Sequence, residues 1–101
     1  MKKLDYKFKL WMVNENNEAI FGDGLARLLE EIEKHHSVLE AAKNLGMSYR
    51  YALHRISLAE ERLEESLVKR LRGGANGGGS SEVTAFGKNL TKRYRNAQAK
   101  L

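Results

Sequence analysis

Near the start of the chain the apolar residues fall on every second position. Tyr6, Phe8, Leu10 and Met12 alternate with Lys7, Lys9 and Trp11, in a run rich in aromatic types. Period-two alternation predicts a strand over residues 6–13, with those four side chains on one face and Trp11 on the other. Asn14-Glu15-Asn16-Asn17-Glu18 is turn chemistry, and Ala19-Ile20-Phe21 reads as a short return strand. Residues 1–22 are therefore expected to form a β-hairpin.

After residue 22 the spacing changes from two to that of a helix. Leu25, Leu28, Leu29 and Ile32 make one apolar stripe on a helix running to about His35, with Asp23 as its expected N-cap. Ser37-Val38-Leu39-Glu40 has the form of a capping box, in which the Ser hydroxyl and the Glu carboxylate each take an orphan backbone N–H. It opens a short helix through Leu45 that carries Ala41 and Ala42, and Gly46 ends it. Ser48 is placed to cap a longer helix from Tyr49 to about Glu65, with Ala52, Ile56, Ala59 and Leu63 on the buried side. A short capped helix, a glycine turn and a longer helix, with small residues where the two must cross, is the helix-turn-helix arrangement, here at 37–65. The plainer alternative is an ordinary helical hairpin.

Leu67-Val68-Lys69-Arg70-Leu71 is strand-like and Glu82-Val83 is a short return; between them lies RGGANGGGSS. A strand, a loop and a strand following a helix-turn-helix make a wing, here at 67–83. Thr84 can cap a last helix, 84–101, on which Phe86, Leu90, Tyr94, Ala97 and Leu101 form an apolar seam. That seam either folds back on the domain or pairs with its copy in a second chain, and its terminal position favours the second. Trp11 joins it as an expected interface residue.

The fold class that follows is mainly α with a small β component (α+β). It is a winged helix-turn-helix with an N-terminal β-hairpin and a C-terminal dimerisation helix. At 101 residues, 42% hydrophobic and 31% charged, the chain is expected to be one globular domain. No apolar run approaches the ~18 residues of a membrane span. The two early lysines imitate a signal peptide, but alternating charges and the lack of a small-residue cleavage site reject that reading. There is no cysteine, which excludes disulfides and thiolate metal sites and fits a cytoplasmic location.

The net charge of +5 is unevenly spread. Residues 1–13 carry +3, residues 14–47 carry −4 and residues 48–65 carry −1, whereas residues 66–101 set eight bases against Glu82 alone. A basic C-terminal third is the electrostatic footprint of a polyanion partner, because phosphate binding releases counterions; a solvated surface is the bland reading.

Five of the nine glycines lie within residues 73–79. The segment lacks Gly-Lys-Ser/Thr and G-x-G-x-x-G, so it is not a nucleotide loop. Too few residues follow it for a second core, which excludes a domain linker. As a wing tip its glycines let the backbone lie against sugar-phosphate. His35 and His36 are adjacent on a helix, point about 100° apart and have no spaced third ligand, so no metal or cofactor is expected. No nucleophile–base pair suggests an enzyme.

SVLEAAKNLGMSYRYALHRI followed by SLVKRLRGGANGGGSSEVTAFGKNL resembles the N-terminal winged-helix domain of ModE-type molybdate-responsive regulators, and more broadly the LysR-type helix-turn-helix. The likeness covers about residues 23–95. Its most specific parts are Gly-Met-Ser-Tyr-Arg, Leu-Val-Lys-Arg, the glycine-rich wing and Val-Thr-x-x-Gly-x-x-Leu. It implies a homodimer on double-stranded DNA, with Ser48, Tyr49, Arg50 and Tyr51 where the family contacts its operator. ModE-type proteins bind molybdate in C-terminal domains that have no counterpart here, so molybdate is not expected.

The sequence thus predicts a transcription regulator whose recognition helix enters the major groove. Arg50 is the expected base reader, since its guanidinium can bond guanine bidentately, with Tyr51, His54 and Arg55 on the same face. Lys69, Arg70, Arg72, Gly73, Gly74, Asn76, Gly77 and Gly78 are expected on the flanking phosphates. The alternative is a winged helix whose basic surface docks an acidic protein. RNA is less well supported, because no aromatic sheet platform for stacking bases is evident.

Overall fold

The computed structural model describes residues 2–71 and 80–101. The expected α+β class is what it shows: four helices and two small antiparallel ribbons. The chain runs β1 (Met12–Val13), β2 (Ala19–Phe21), α1 (Asp23–His35), α2 (Val38–Asn44), α3 (Tyr49–Leu63), β3 (Val68–Leu71), β4 (Ser80–Val83) and α4 (Ala85–Ala99).

The first hairpin forms where the turn chemistry placed it. Asn14 Oδ1 accepts the N–H groups of Asn16 and Glu18, Asn14 Nδ2 donates to Glu18 Oε1 at 2.8 Å, and Asn17 takes a left-handed φ of 61°. The strand expected over 6–13 is cut to Met12–Val13, which pairs with Phe21 and Ala19. The return strand has three residues, after which the chain turns into α1, so nothing is left to pair with residues before Met12. Tyr6 and Phe8 consequently lie exposed, while Leu10 and Met12, on the same alternation, pack against the core.

Asp23 is not the N-cap of α1. That position is Gly22, with extended dihedrals and no side-chain cap, and Asp23 is the first helical residue. Glycine is required there by close approach, because a Cβ would lie 2.5 Å from the Trp11 ring. The stripe Leu25, Leu28, Leu29 and Ile32 is buried as the spacing predicts.

Ser37 caps α2 by accepting the Glu40 N–H at 3.1 Å. The reciprocal half of the capping box is not formed; the Glu40 carboxylate lies 3.9 Å from Lys43 Nζ instead. The helix ends in a Schellman motif: Met47 N–H reaches Ala42 O and Gly46 N–H reaches Lys43 O, with Gly46 at φ 70°. Ala41, Ala42 and Ala52 are buried where α2 and α3 cross, so the helices can approach closely. α3 stops at Leu63 because Glu64 turns left-handed at φ 55°.

Helix α4 folds back. Tyr94 is fully buried, its ring edge-to-face with Phe21 at 5.5 Å and its hydroxyl donating to Leu10 O at 2.9 Å. Beside it Arg95 forms a bidentate pair with Glu30 (2.7 and 3.1 Å) and reaches Asp23 Oδ1 at 2.7 Å, joining α4 to α1. Of the seam expected at an interface, Leu90 and Tyr94 are therefore enclosed in the chain's own core. Phe86, Ala97 and Leu101 stay exposed, and Trp11 is half exposed over Gly22.

Candidate nucleic-acid interface

The N-terminus of α3 is set by one hydrogen bond. Ser48 stands just outside the helix in extended conformation, and its Oγ accepts the Tyr51 N–H at 3.0 Å. This fixes where the helix begins, and its apolar stripe, Ala52, Ile56 and Ala59, packs inward on the core. At about 100° per residue, Arg50 and His54 then lie on the opposite, solvent side, and both are exposed. Tyr51 stands at the edge of that face, half exposed, and Tyr49, also exposed, lies toward the other edge. Arg55 departs from expectation. It is half-buried and lines the clefts beside Trp11 and Gly24, so it belongs to the flank of the helix rather than to its outward face.

The wing root is tied to the same helix. Glu60 Oε2, one turn from the end of α3, accepts the N–H groups of Leu67 (2.7 Å) and Val68 (3.2 Å). From the other side Thr84 donates its hydroxyl to Ser66 O at 2.7 Å, and its N–H bonds Leu67 O at 2.9 Å. Ser81 N–H reaches His36 O at the end of α1. Hydrogen bonds at three residues, Glu60, Thr84 and Ser81, thus tie the β3–β4 ribbon to the body, with those of Glu60 coming from α3.

β3 and β4 pair antiparallel, Val68 with Val83, Lys69 with Glu82, Arg70 with Ser81 and Leu71 with Ser80. Successive side chains of a strand point to opposite faces, so Lys69 and Arg70 are divided between the two sides of the ribbon, and both are exposed. Lys69 shares its face with Glu82. Arg72, Gly73, Gly74, Asn76, Gly77 and Gly78, expected at the wing tip, lie outside the described residues.

Sequence reasoning missed Glu60 and the function of Gly87. A Cβ on Gly87 would meet Leu67 O and Val83 Cγ1, each at 2.8 Å, so glycine is what lets α4 seat against the wing root. The Val-Thr-x-x-Gly spacing carried that information, but only the cap was readable from it. Thr84 does cap α4, accepting the Gly87 N–H at 3.0 Å. His35 Nε2 lies 3.1 Å from Glu31 Oε2 and 3.0 Å from Asn44 Nδ2, linking α1 to α2, while His36 is the left-handed C-cap of α1.

The strongest electrostatic perturbations lie away from this face. Hydrogen bonding from Arg95 holds the Asp23 carboxyl below its ordinary value of 3.8, against an opposing burial effect. Arg95 is in turn held firmly protonated, chiefly by Glu30 and then by Asp23. Burial raises the Tyr94 hydroxyl, with a further contribution from Asp23. These groups are structural in placement and leave the outward side of α3 untouched.

Residues 24–88 match the bacterial regulatory helix-turn-helix proteins of the lysR family. The chain belongs to that family. Over 73 residues it is 38% identical to the molybdenum transport protein ModE of Azotobacter vinelandii, covering 72% of this chain and 27% of that protein. It is 35% identical over 78 residues to the transcriptional regulator ModE of Haemophilus influenzae, covering 76% and 30% respectively. The molybdenum-pterin-binding protein MopA of Rhodobacter capsulatus is 35% identical over 69 residues, 68% of this chain and 26% of its own. The chain thus spans less than a third of the length of these relatives. Its family is one of regulatory proteins rather than enzymes. Among the described residues no helix is long and apolar enough to cross a membrane.

Proposed function

We propose that this chain is a sequence-specific, double-stranded-DNA-binding transcription regulator that acts as a homodimer. Helix α3 lies in the major groove and the β3–β4 ribbon follows the flanking backbone. The observation that carries the reading is the Ser48-capped start of α3, which presents Arg50 and His54 to solvent directly opposite the buried Ala52–Ile56–Ala59 side. Membership of a regulatory helix-turn-helix family supports it. Arg50 reads a base, Tyr51 and Tyr49 contact the groove wall, and Lys69 or Arg70 sits on phosphate. Ser48 contributes by fixing the helix start.

The test is a binding series on a site selected from genomic fragments and on random DNA of equal length. Arg50→Ala is expected to cost about 1–3 kcal/mol on the selected site, and to do so without an equal loss on random DNA. Equal losses on both would remove Arg50 as a base reader. If no fragment is bound at moderate salt, the DNA reading is overturned and an acidic protein partner becomes the reading to test.

A further inference from the structure

Residues 2–9 are exposed, carry no secondary structure and make no hydrogen bond to the rest of the chain among the described residues. Lys2, Lys3, Lys7 and Lys9 are set there against Asp5 alone, and none of the four forms a salt bridge among the described residues. The root of this arm, in contrast, is fixed. Leu10 O accepts the Tyr94 hydroxyl at 2.9 Å, and the Trp11 ring lies against Gly22. Trp11 also stands in two clefts along one flank of α3, with Tyr51 and Arg55 in one and Arg55 and Leu58 in the other. Arg62, on the same flank, donates to Ala19 O at 3.0 Å and so holds the first hairpin there. The wing root is bound instead by Glu60. At about 100° per residue, Glu60 and Arg62 stand about 160° apart around α3, with Arg50 and His54 on the outward arc between them. Wing and arm thus leave the helix from opposite sides.

We propose that the arm is a second basic clamp on duplex DNA, lying along the backbone on the side of α3 away from the wing. The proposal rests on the DNA reading above and adds the other edge of that interface. The major groove is about 12 Å wide and has a phosphate strand on each side, so a helix seated in it turns each flank to one strand. The ribbon with Arg70 serves one flank, and the arm with its four lysines serves the other. Eight extended residues reach about 26 Å, more than twice the width of the groove. Lysine suits such an element, because a point charge on a flexible stem needs no fixed geometry to meet a phosphate. A lysine with no carboxylate partner keeps its full charge for that contact, and each contact releases a counterion.

The test replaces Lys2, Lys3, Lys7 and Lys9 together by Ser in the full chain, where all four side chains are exposed and outside the core. On random duplex DNA the dependence of log K on log salt should flatten by about 2–4, at about 0.9 for each lysine on a phosphate. Asp5→Asn should tighten binding to the same DNA. Because the chain has no cysteine, Leu4→Cys and Glu82→Cys can each carry a single iron–EDTA cleavage reagent. Within one selected half-site, cuts from position 4 should fall on one side of the α3 contact and cuts from position 82 on the other. An unaltered chain that binds DNA, with a slope unchanged by the four replacements, overturns the clamp and leaves the DNA reading standing. Cuts from both positions on the same side overturn its placement. Lysine-dependent binding to phosphatidylserine–phosphatidylcholine vesicles, with no change of slope on DNA, overturns the clamp in favour of a membrane surface. An unaltered chain that binds no DNA overturns both readings.

Discussion

Gly87 shows how one residue can hold two elements at their working distance. In an isolated helix, replacing glycine with alanine would gain about 1 kcal/mol. Here the new methyl would stand 2.8 Å from Leu67 O, a carbonyl already fixed by the Thr84 N–H and hydroxyl, and as close to Val83 Cγ1. Overpacking of this kind costs about 1–3 kcal/mol, so the contact outweighs the propensity. Gly87→Ala is therefore expected to lower stability by up to about 2 kcal/mol, a shift of the urea midpoint with unchanged slope. A midpoint that rises would show that the carbonyl yields. Asp23 gives a second prediction at this scale. Its carboxyl titrates lower in the folded chain than in the unfolded one, so the folded state binds fewer protons as acid is added. The stabilisation from its bond to Arg95 is complete above about pH 4 and is lost as pH falls through the lowered value. Asp23→Asn should flatten the acid limb of the stability–pH curve below pH 4 and leave its shape at neutral pH unchanged. Because half of the Asp23 side chain is exposed, solvent screening keeps the effect modest.

At the scale of elements, what was legible in the sequence was local. Helices α1, α2 and α3 follow from apolar spacing and from the Ser37 and Ser48 caps, whose partners lie three residues away. The turn at Asn14–Glu18 and the left-handed Gly46 are equally short-range. What was not legible depends on partners far along the chain. Tyr94 bonds a carbonyl 84 residues earlier and Arg95 pairs with carboxylates 65 and 72 residues away, and these contacts decide that α4 folds back. The N-cap of α1 is Gly22 rather than Asp23, and the room for a side chain at Gly22 is limited by a ring eleven residues upstream, which no capping preference records. Of the candidate interface, the outward side of α3 could be read from its buried stripe, whereas the half-buried Arg55 could not, since it lines clefts shared with Trp11, from a different part of the chain. Glu60 was not legible either, although its partners lie only seven and eight residues on, because a single carboxylate oxygen takes both the Leu67 and Val68 N–H groups across the turn that follows α3. Glu60→Ala would leave two partly buried N–H groups without their acceptor, at about 1–3 kcal/mol in total. The expected signature is faster amide exchange at Leu67 and Val68 with α3 unchanged, together with weaker DNA binding. Unaltered exchange at those two amides would mean that Thr84 and Ser81 hold the root without Glu60.

For the whole molecule the distribution of charge matters more than its total. The acidic stretch 14–47 includes α1 and α2, while residues 66–101, with the wing and α4, carry a single acid. That acid, Glu82, sits opposite Lys69 and offsets it on one side of the ribbon. Arg70 stands on the other side, opposite the uncharged Ser81, which leaves it the stronger candidate for phosphate. Phosphate contacts release counterions in proportion to the charges neutralised, so log K falls with log salt by about 0.9 for each contact on duplex DNA. Arg70→Ala should then weaken binding to selected and random sequences alike and reduce the slope by about one. Lys69→Ala should change the slope less, because Glu82 already opposes that charge. Titrations on random DNA at several salt concentrations separate the two variants. A slope unchanged by Arg70→Ala would place the ribbon away from the phosphates, and the basic third of the chain would then need a partner other than the DNA backbone.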